Sequence, residues 1–252
     1  MTGNATMVES SGLTDPGCVR KNNEDTYRLA PERRLYVLAD GMGGAQAGEH
    51  ASNLAVDAVV DFLASSAHDT LGADATGGAL EDAFLHANRT VLHAAHADGR
   101  LEGMGTTLVA AMVSGTELLL ASVGDSRAYG LTAASGLRLL TQDQSWVNEV
   151  GRLQLGLAEE ALRRHPMRHV LTMAVGVGAT LRVNSYRYPL EPGLQILLCS
   201  DGLHGVLGEP EIEAVLRSPL SLDQKCAELI RSANALGGPD NITVVLLKPA
   251  FG

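Results

Sequence analysis

Four aspartates in this chain close short apolar runs or stand just before one, each beside a glycine or in a turn. Asp40 follows Leu35-Tyr36-Val37-Leu38-Ala39, Asp125 follows the run Leu118 to Val123, Asp201 follows Ile196 to Ser200, and Asp240 precedes Ile242 to Leu247. Apolar runs of this length bounded by turn residues read as buried strands. Carboxylates gathered at strand ends repel one another and resist burial unless a cation neutralises them. Hard oxygen donors suit Mg²⁺ or Mn²⁺, so a fold that assembles these strand ends also assembles a divalent-metal site.

The 252 residues carry no Pro/Ser-rich linker and no internal repeat, which favours one domain spanning 1–252. The net charge of −10 argues against a nucleic-acid partner, which would want a basic stripe. Most of that acidity reads as solvated surface, with the carboxylate cluster contributing the rest. Three widely spaced cysteines without a C-x-x-C fit a reduced, cytoplasmic chain, and Cys199, inside an apolar run, reads as a buried small hydrophobe. No run reaches the roughly 18–20 apolar residues needed to span a bilayer, and no secretory signal is visible at the start.

Residues 1–12 read as a frayed tail or an edge strand. Thr26–Leu29 and Leu35–Ala39 read as a hairpin. Apolar residues at helical spacing mark helices over 49–63 and 77–98. The period then shortens to that of strands at 106–113, 117–123 and 127–131, with a fourth at 137–140. Their loops are too short for crossover helices, which predicts an antiparallel meander. Short helices follow over 145–165, ended by Pro166, then strands at 181–188 and 194–200, helices at 209–216 and 222–234, and a last strand at 242–247. Strands in runs and helices in pairs predict an α+β fold with helices packed over antiparallel sheets.

Asp40-Gly41-Met42-Gly43-Gly44 is the richest segment, because a strand-end carboxylate followed by glycines can offer its own oxygens and nearby backbone carbonyls to an ion. Its plainer reading is a glycine-rich turn with a solvated aspartate. Neither G-x-x-x-x-G-K-[ST] nor G-x-G-x-x-G is present, so a phosphate-cradling loop is disfavoured. Arg20 could hold phosphate oxygens through its guanidinium fork, although a lone arginine in a charged loop is more often solvated. His86, His93 and His96 share one face of the second helix and read as ordinary surface or core side chains. His50 follows the glycine loop closely, and Trp146 is expected to pack the helix it begins.

Six short motifs stand in one order: Arg20-x-x-Asn23-Glu24-Asp25, Asp40-Gly41-Met42-Gly43-Gly44, Gly105-Thr106-Thr107, Val123-Gly124-Asp125-Ser126-Arg127, Ser200-Asp201-Gly202 and Gly238-x-Asp240-Asn241. In this order the chain resembles the metal-dependent Ser/Thr protein phosphatases of type 2C, bacterial branch, over nearly its whole length. The resemblance implies a four-layer α-β-β-α sandwich, two antiparallel sheets flanked by helices, with a binuclear Mn²⁺ or Mg²⁺ centre at one edge. By position it implies that Asp40 bridges both metals, that the Gly41 carbonyl ligates one, and that Asp201 and Asp240 complete the other. It further implies that Glu24 and Asp25 act through metal-bound waters, that Arg20 binds the substrate phosphate, and that Asp125, with Asp201, holds a third, weaker metal. The implied reaction is hydrolysis of phosphoserine and phosphothreonine by a metal-bridging hydroxide, without a phosphoenzyme. The implied partners are phosphorylated proteins, substrates of a eukaryotic-type Ser/Thr kinase, and a monomer is the default.

Two departures from the family pattern stand out. Met42 occupies the place of a histidine that eukaryotic members carry, and Met173 that of an arginine common in bacterial relatives, near a flap of roughly 145–180. Two other functions remain open at this level: a non-catalytic module that senses a phosphorylated partner, and hydrolysis of small phosphoesters. Retention of Asp40, Asp201, Asp240 and Arg20 weighs against the first of these.

Overall fold

The hairpin at the front of the chain shows how the layers arise. In the computed structural model, which describes residues 7–43, 47–65, 73–152, 165–167 and 170–250, strands β2 (Asp25–Ala30) and β3 (Leu35–Met42) pair antiparallel. Every residue from Leu35 to Ala39 is fully buried. Leu35, Val37 and Ala39 face one apolar cluster, whereas Tyr36 and Leu38 face another. A strand covered on both faces needs apolar residues at consecutive positions, which explains an unbroken run where alternation would mark a half-exposed strand.

On one side of this sheet lie helices α1 (Ala47–Ala64) and α2 (Ala73–Ala97), which bury Ala51, Ala55, Val59, Leu80 and Phe84 against Leu108 and Ala110 of β5 (Leu108–Ser114). The first sheet runs β2-β3-β5-β6-β9, with β6 at Glu117–Val123 and β9 at Asn184–Pro189, and β4 (Gly105–Thr106) also pairs with β3. The second runs β1-β11-β10-β7-β8, from β1 (Met7–Asp15) through β11 (Ile242–Ala250), β10 (Gln195–Cys199) and β7 (Arg127–Thr132) to β8 (Gly136–Leu139).

Between the sheets, Tyr36, Val109 and Leu120 meet Ile196, Leu198 and Val245. Behind the second sheet, Leu197, Val244 and Leu246 pack on Ile212 and Leu216 of α5 (Glu209–Arg217) and on Leu229 and Ala233 of α6 (Leu222–Ala235). The order is helix, sheet, sheet, helix, as expected. Each fully buried aliphatic side chain of these clusters contributes about 1.5–3 kcal/mol.

The meander is corrected in one respect. Strands β5 and β6 do form a hairpin, but β7 leaves that sheet and pairs with β10 and β8 in the facing one, while β9 takes the edge of β6. Gly124, at φ +93°, turns the chain across the sandwich, a conformation glycine adopts without strain. The edge strand at the N-terminus is present as β1. The strand expected from Leu181 begins only at Asn184, and Leu181 and Val183 instead pack against the first cluster. Of the short helices expected over 145–165, the first is α3 (Trp146–Arg152) and the second lies outside the described residues. Ser200-Asp201-Gly202, read as a turn, begins a helical turn, α4 (Asp201–His204), closed by a 2.7 Å bond from the Gly205 N–H to the Asp201 carbonyl.

Candidate active site

The starts of β2 and β11, the last residues of β3, the β6–β7 turn and the β10–α4 junction all reach one edge of the sandwich. They enclose a cleft of about 530 Å³ lined by Arg20, Glu24, Asp40, Gly41, Met42, Thr107, Asp125, Val170, Leu171, Asp201, Asp240 and Asn241. Seven of the eight predicted site residues line it, and the eighth, Asp25, is buried behind it, paired with Asp40 in the β2–β3 register.

Asp40 is held by its backbone. Its N–H donates to Thr107 Oγ1 (3.0 Å), and its carbonyl accepts from the Thr107 N–H (2.9 Å) and from Thr106 Oγ1 (2.8 Å). Thr107 Oγ1 also bonds Ser126 Oγ at 2.7 Å, which joins β3 to the Asp125 turn. Burial, then the negative charges of Asp25, Asp201, Asp125 and Asp240, hold the Asp40 carboxyl well above the usual carboxylate range.

Asp25 Oδ2 accepts from Ser200 Oγ and Thr243 Oγ1, each at 2.7 Å, while Oδ1 is buried with no hydrogen-bond partner among the described residues. Burial pushes its carboxyl up to about 6, against the pull of those two hydroxyls. Asp125 is pushed up to about 7, first by burial and then by the charges of Asp201 and Asp143. Burial also raises Glu24, against the lowering effect of Arg20.

Asp240 is held at both carboxylate oxygens. Its Oδ2 accepts from Arg20 Nη2 at 2.7 Å and its Oδ1 from the Asn241 N–H at 2.9 Å. Asn241 binds the entry loop of β2 in turn, accepting from the Glu24 N–H (2.8 Å) and donating to the carbonyls of Asn22 (2.8 Å) and Pro16 (3.1 Å). At Gly202 a methyl group would strike the Asn241 carbonyl, so glycine lets the Asp201 turn lie against the Asp240 loop.

Among the described residues no three histidine, cysteine or acidic side chains already close on one point, and the carboxylates ring the cleft instead. They nonetheless fit a divalent cation. All the donors are hard oxygens, one buried oxygen of Asp25 is orphaned, and the raised carboxyls of Asp40, Asp25 and Asp125 carry a repulsion that positive charge would relieve.

Residues singled out on weaker grounds fall elsewhere. His50, His93 and His96 are exposed and line no part of the cleft, and His86 lies against Phe62. Trp146 stacks on His165 with ring centroids 4.2 Å apart. Cys199 is fully buried, its thiol pushed up to about 12. Met42 lines the cleft, whereas Met173 packs against the first apolar cluster. One contributor escaped the sequence reading. His204, half-buried and lowered to about 4 chiefly by desolvation, faces the Asp125 carbonyl at 3.0 Å through Nε2. Its spacing after Ser200-Asp201 carries no metal or triad pattern that would have flagged it.

A model of the family described as protein phosphatase 2C matches residues 20–243. The chain belongs to that family. It is 37% identical over 239 residues to the serine/threonine phosphatase stp of Listeria welshimeri, covering 93% of each chain. It is 35% identical over 244 residues to protein phosphatase PhpP of Streptococcus pneumoniae, covering 95% of this chain and 97% of that one. Among solved structures, the Mycobacterium tuberculosis serine/threonine phosphatase PstP/Ppp superposes with a TM-score of 0.85 at 33% identity, over 97% and 99% of the two chains. The catalytic domain of serine threonine protein phosphatase PstP in complex with two manganese ions superposes with a TM-score of 0.82 at 33% identity, over 98% of this chain and 100% of that one. The cleft of this protein phosphatase 2C chain lies at one edge of the sandwich, among the strand ends that carry its carboxylates.

Proposed function

We propose that this protein phosphatase 2C chain removes phosphate from phosphoserine and phosphothreonine in proteins, using two Mn²⁺ or Mg²⁺ ions and a third, weaker one. Asp40 would serve both principal ions, the Gly41 carbonyl would hold one of them, and Asp201 and Asp240 the other. Glu24 and Asp25 act through waters, and Asp125 with Asp201 holds the third ion. When bound, the ions supply a water ionised near neutral pH and neutralise charge on the phosphate.

The chain's own residues do the rest. Arg20 sits at the cleft mouth with its side chain 54% exposed, free to swing its fork from Asp240 onto phosphate oxygens. Thr106 and Thr107 fix the Asp40 backbone, so its carboxylate is aimed before any ligand arrives. Met42 offers no proton, so the leaving alkoxide must take its proton from water or another acid in the cleft. Among the described residues no cysteine or serine lines the cleft, which fits direct hydrolysis without a phosphoenzyme.

The observation that carries this reading is the convergence of five carboxylates and one guanidinium on a single cleft. The cleft lining runs from Arg20 to Asn241, which supports a single catalytic domain, with a monomer as the default; the flap expected over 145–180 lies partly outside the described residues. Three free cysteines, one of them exposed, support a cytoplasmic setting. The partner enzyme that makes its substrates is a Ser/Thr kinase of eukaryotic type. No helix among the described residues is long and apolar enough to cross a membrane.

The deciding experiment is phosphate release from a phosphothreonine peptide, with and without Mn²⁺, by the wild type and by Asp40→Asn. Mn²⁺-dependent release that disappears in the variant is expected. Well-folded, Mn²⁺-loaded wild type that released nothing would sink the assignment.

A further inference from the structure

The Asp125 turn is gripped at four consecutive residues. Gly124 exchanges bonds with Gln144: the Gln144 N–H donates to the Gly124 carbonyl (2.8 Å), and the Gly124 N–H donates to Gln144 Oε1 (3.0 Å). Asp125 is held at its carbonyl by His204, Ser126 by Thr107, and Arg127 by Asp143 through its guanidinium fork. Two of these four holds, Asp143 and Gln144, come from adjacent residues of one segment.

That segment also holds a second stretch of the cleft lining. The Gln144 carbonyl accepts from the Thr172 N–H at 2.9 Å, and its Nε2 donates to the Arg182 carbonyl at 2.8 Å. Next to it, Ser145 bridges to Leu171, and the Trp146 N–H donates to the Val170 carbonyl at 2.8 Å. Val170 and Leu171 line the same cleft as Asp125. Gln144 itself is 2% exposed, and both its backbone groups and both ends of its amide are bonded. A side chain that is buried and fully bonded between two segments transmits a shift in one to the other, because neither bond can be replaced by water.

We propose that Gln144 is a positioning residue that ties the Asp125 turn to the Val170–Leu171 wall, so that ion binding at Asp125 and seating of a phosphopeptide against that wall are coupled. This rests on the phosphatase reading above. A substrate chain that presses on Val170 and Leu171 sets the register of Thr172, and through Gln144 that of Gly124. A small phosphoester, which reaches only the ions and Arg20, leaves the link unused.

The test variant is Gln144→Met, which keeps side-chain length and removes both amide bonds. Calorimetry should show Mn²⁺ affinity of the weakest site falling by about tenfold to a hundredfold, the range for partners that orient a ligand. KM for a phosphothreonine peptide should rise about tenfold, while kcat for a small aryl phosphate at saturating Mn²⁺ stays within about threefold. Unchanged Mn²⁺ affinity and peptide KM in a folded variant would overturn the proposal. Should the variant not fold, amide exchange of the wild type decides. Joint slowing of the segments carrying Gly124 and Thr172 on Mn²⁺ addition supports the link, and slowing at Gly124 alone refutes it. Wild type without Mn²⁺-dependent phosphate release would count against the phosphatase reading, while the exchange measurement would still decide the link.

Discussion

Asp25 and Asp40 are direct partners across the β2–β3 ladder, two carboxylates at the buried end of one hairpin. Opposed like charges destabilise a strand pair, and here Asp25 is buried and Asp40 half-buried as well. The hairpin is therefore built against its own stability at the point where it meets the cleft.

Stability of the metal-free protein should fall as pH rises. Asp25 is raised from 3.8 to about 6 and Asp125 from 3.8 to about 7, in both cases first by burial, so the folded state holds these protons more tightly than the unfolded chain. That stabilisation is complete below about pH 4 and is lost as pH climbs through about 6 to 7. Thermal melts in EDTA should show a Tm that declines across this window, and saturating Mn²⁺ should remove the decline. A Tm that climbed across the window in EDTA would contradict the assigned shifts.

Asp40→Asn should separate stability from activity. Replacing the carboxylate that four others repel should raise the Tm of the metal-free protein above wild type at pH 7. Turnover should fall by at least about a thousandfold, equivalent to roughly 4 kcal/mol of transition-state stabilisation. Melting in EDTA and phosphate release in Mn²⁺ are the paired measurements, and a variant less stable than wild type without metal would refute the repulsion.

Ser200 and Thr243 share a single acceptor, Asp25 Oδ2. Ser200→Ala and Thr243→Val should each cost about 1–3 kcal/mol in urea unfolding, because each leaves a buried carboxylate with one donor fewer. The cost should be larger at pH 7 than at pH 5, since the charged form is the one these hydroxyls favour. The double variant should depart from additivity.

Arg20→Ala should lower kcat/KM by about a hundredfold and leave Tm nearly unchanged. Its pair with Asp240 is half exposed, and such pairs contribute about 0–1 kcal/mol. Arg20→Lys should recover only part of the loss, as a point charge without the fork that matches phosphate. Equal kcat/KM for wild type and Arg20→Ala would remove Arg20 from the phosphate.

The layers were largely legible in the chain. The run Leu35 to Ala39 has no polar position, so it could only be a strand covered on both sides, and α1 and α2 were marked by their apolar stripes. The cleft residues were legible as well, because Arg20, Asp40, Asp125, Asp201 and Asp240 stand in recognisable motifs. The partner of β7 was not, since a three-residue turn at Gly124–Ser126 can lead either back along the same sheet or across to the facing one. The grips on that turn were equally hidden: Gln144 and His204 are remote from it in sequence and belong to no catalytic pattern.

Local sequence thus determined the elements and the chemical types of the site, because the hydrophobic period and the acid-glycine turns act over a few residues. The tertiary structure alone decided which carboxylates are buried, which oxygen of Asp25 takes the two hydroxyls, and which segments grip the Asp125 turn. Desolvation and charge repulsion depend on what the folded chain brings within a few ångströms, and separation along the sequence carries no record of that distance.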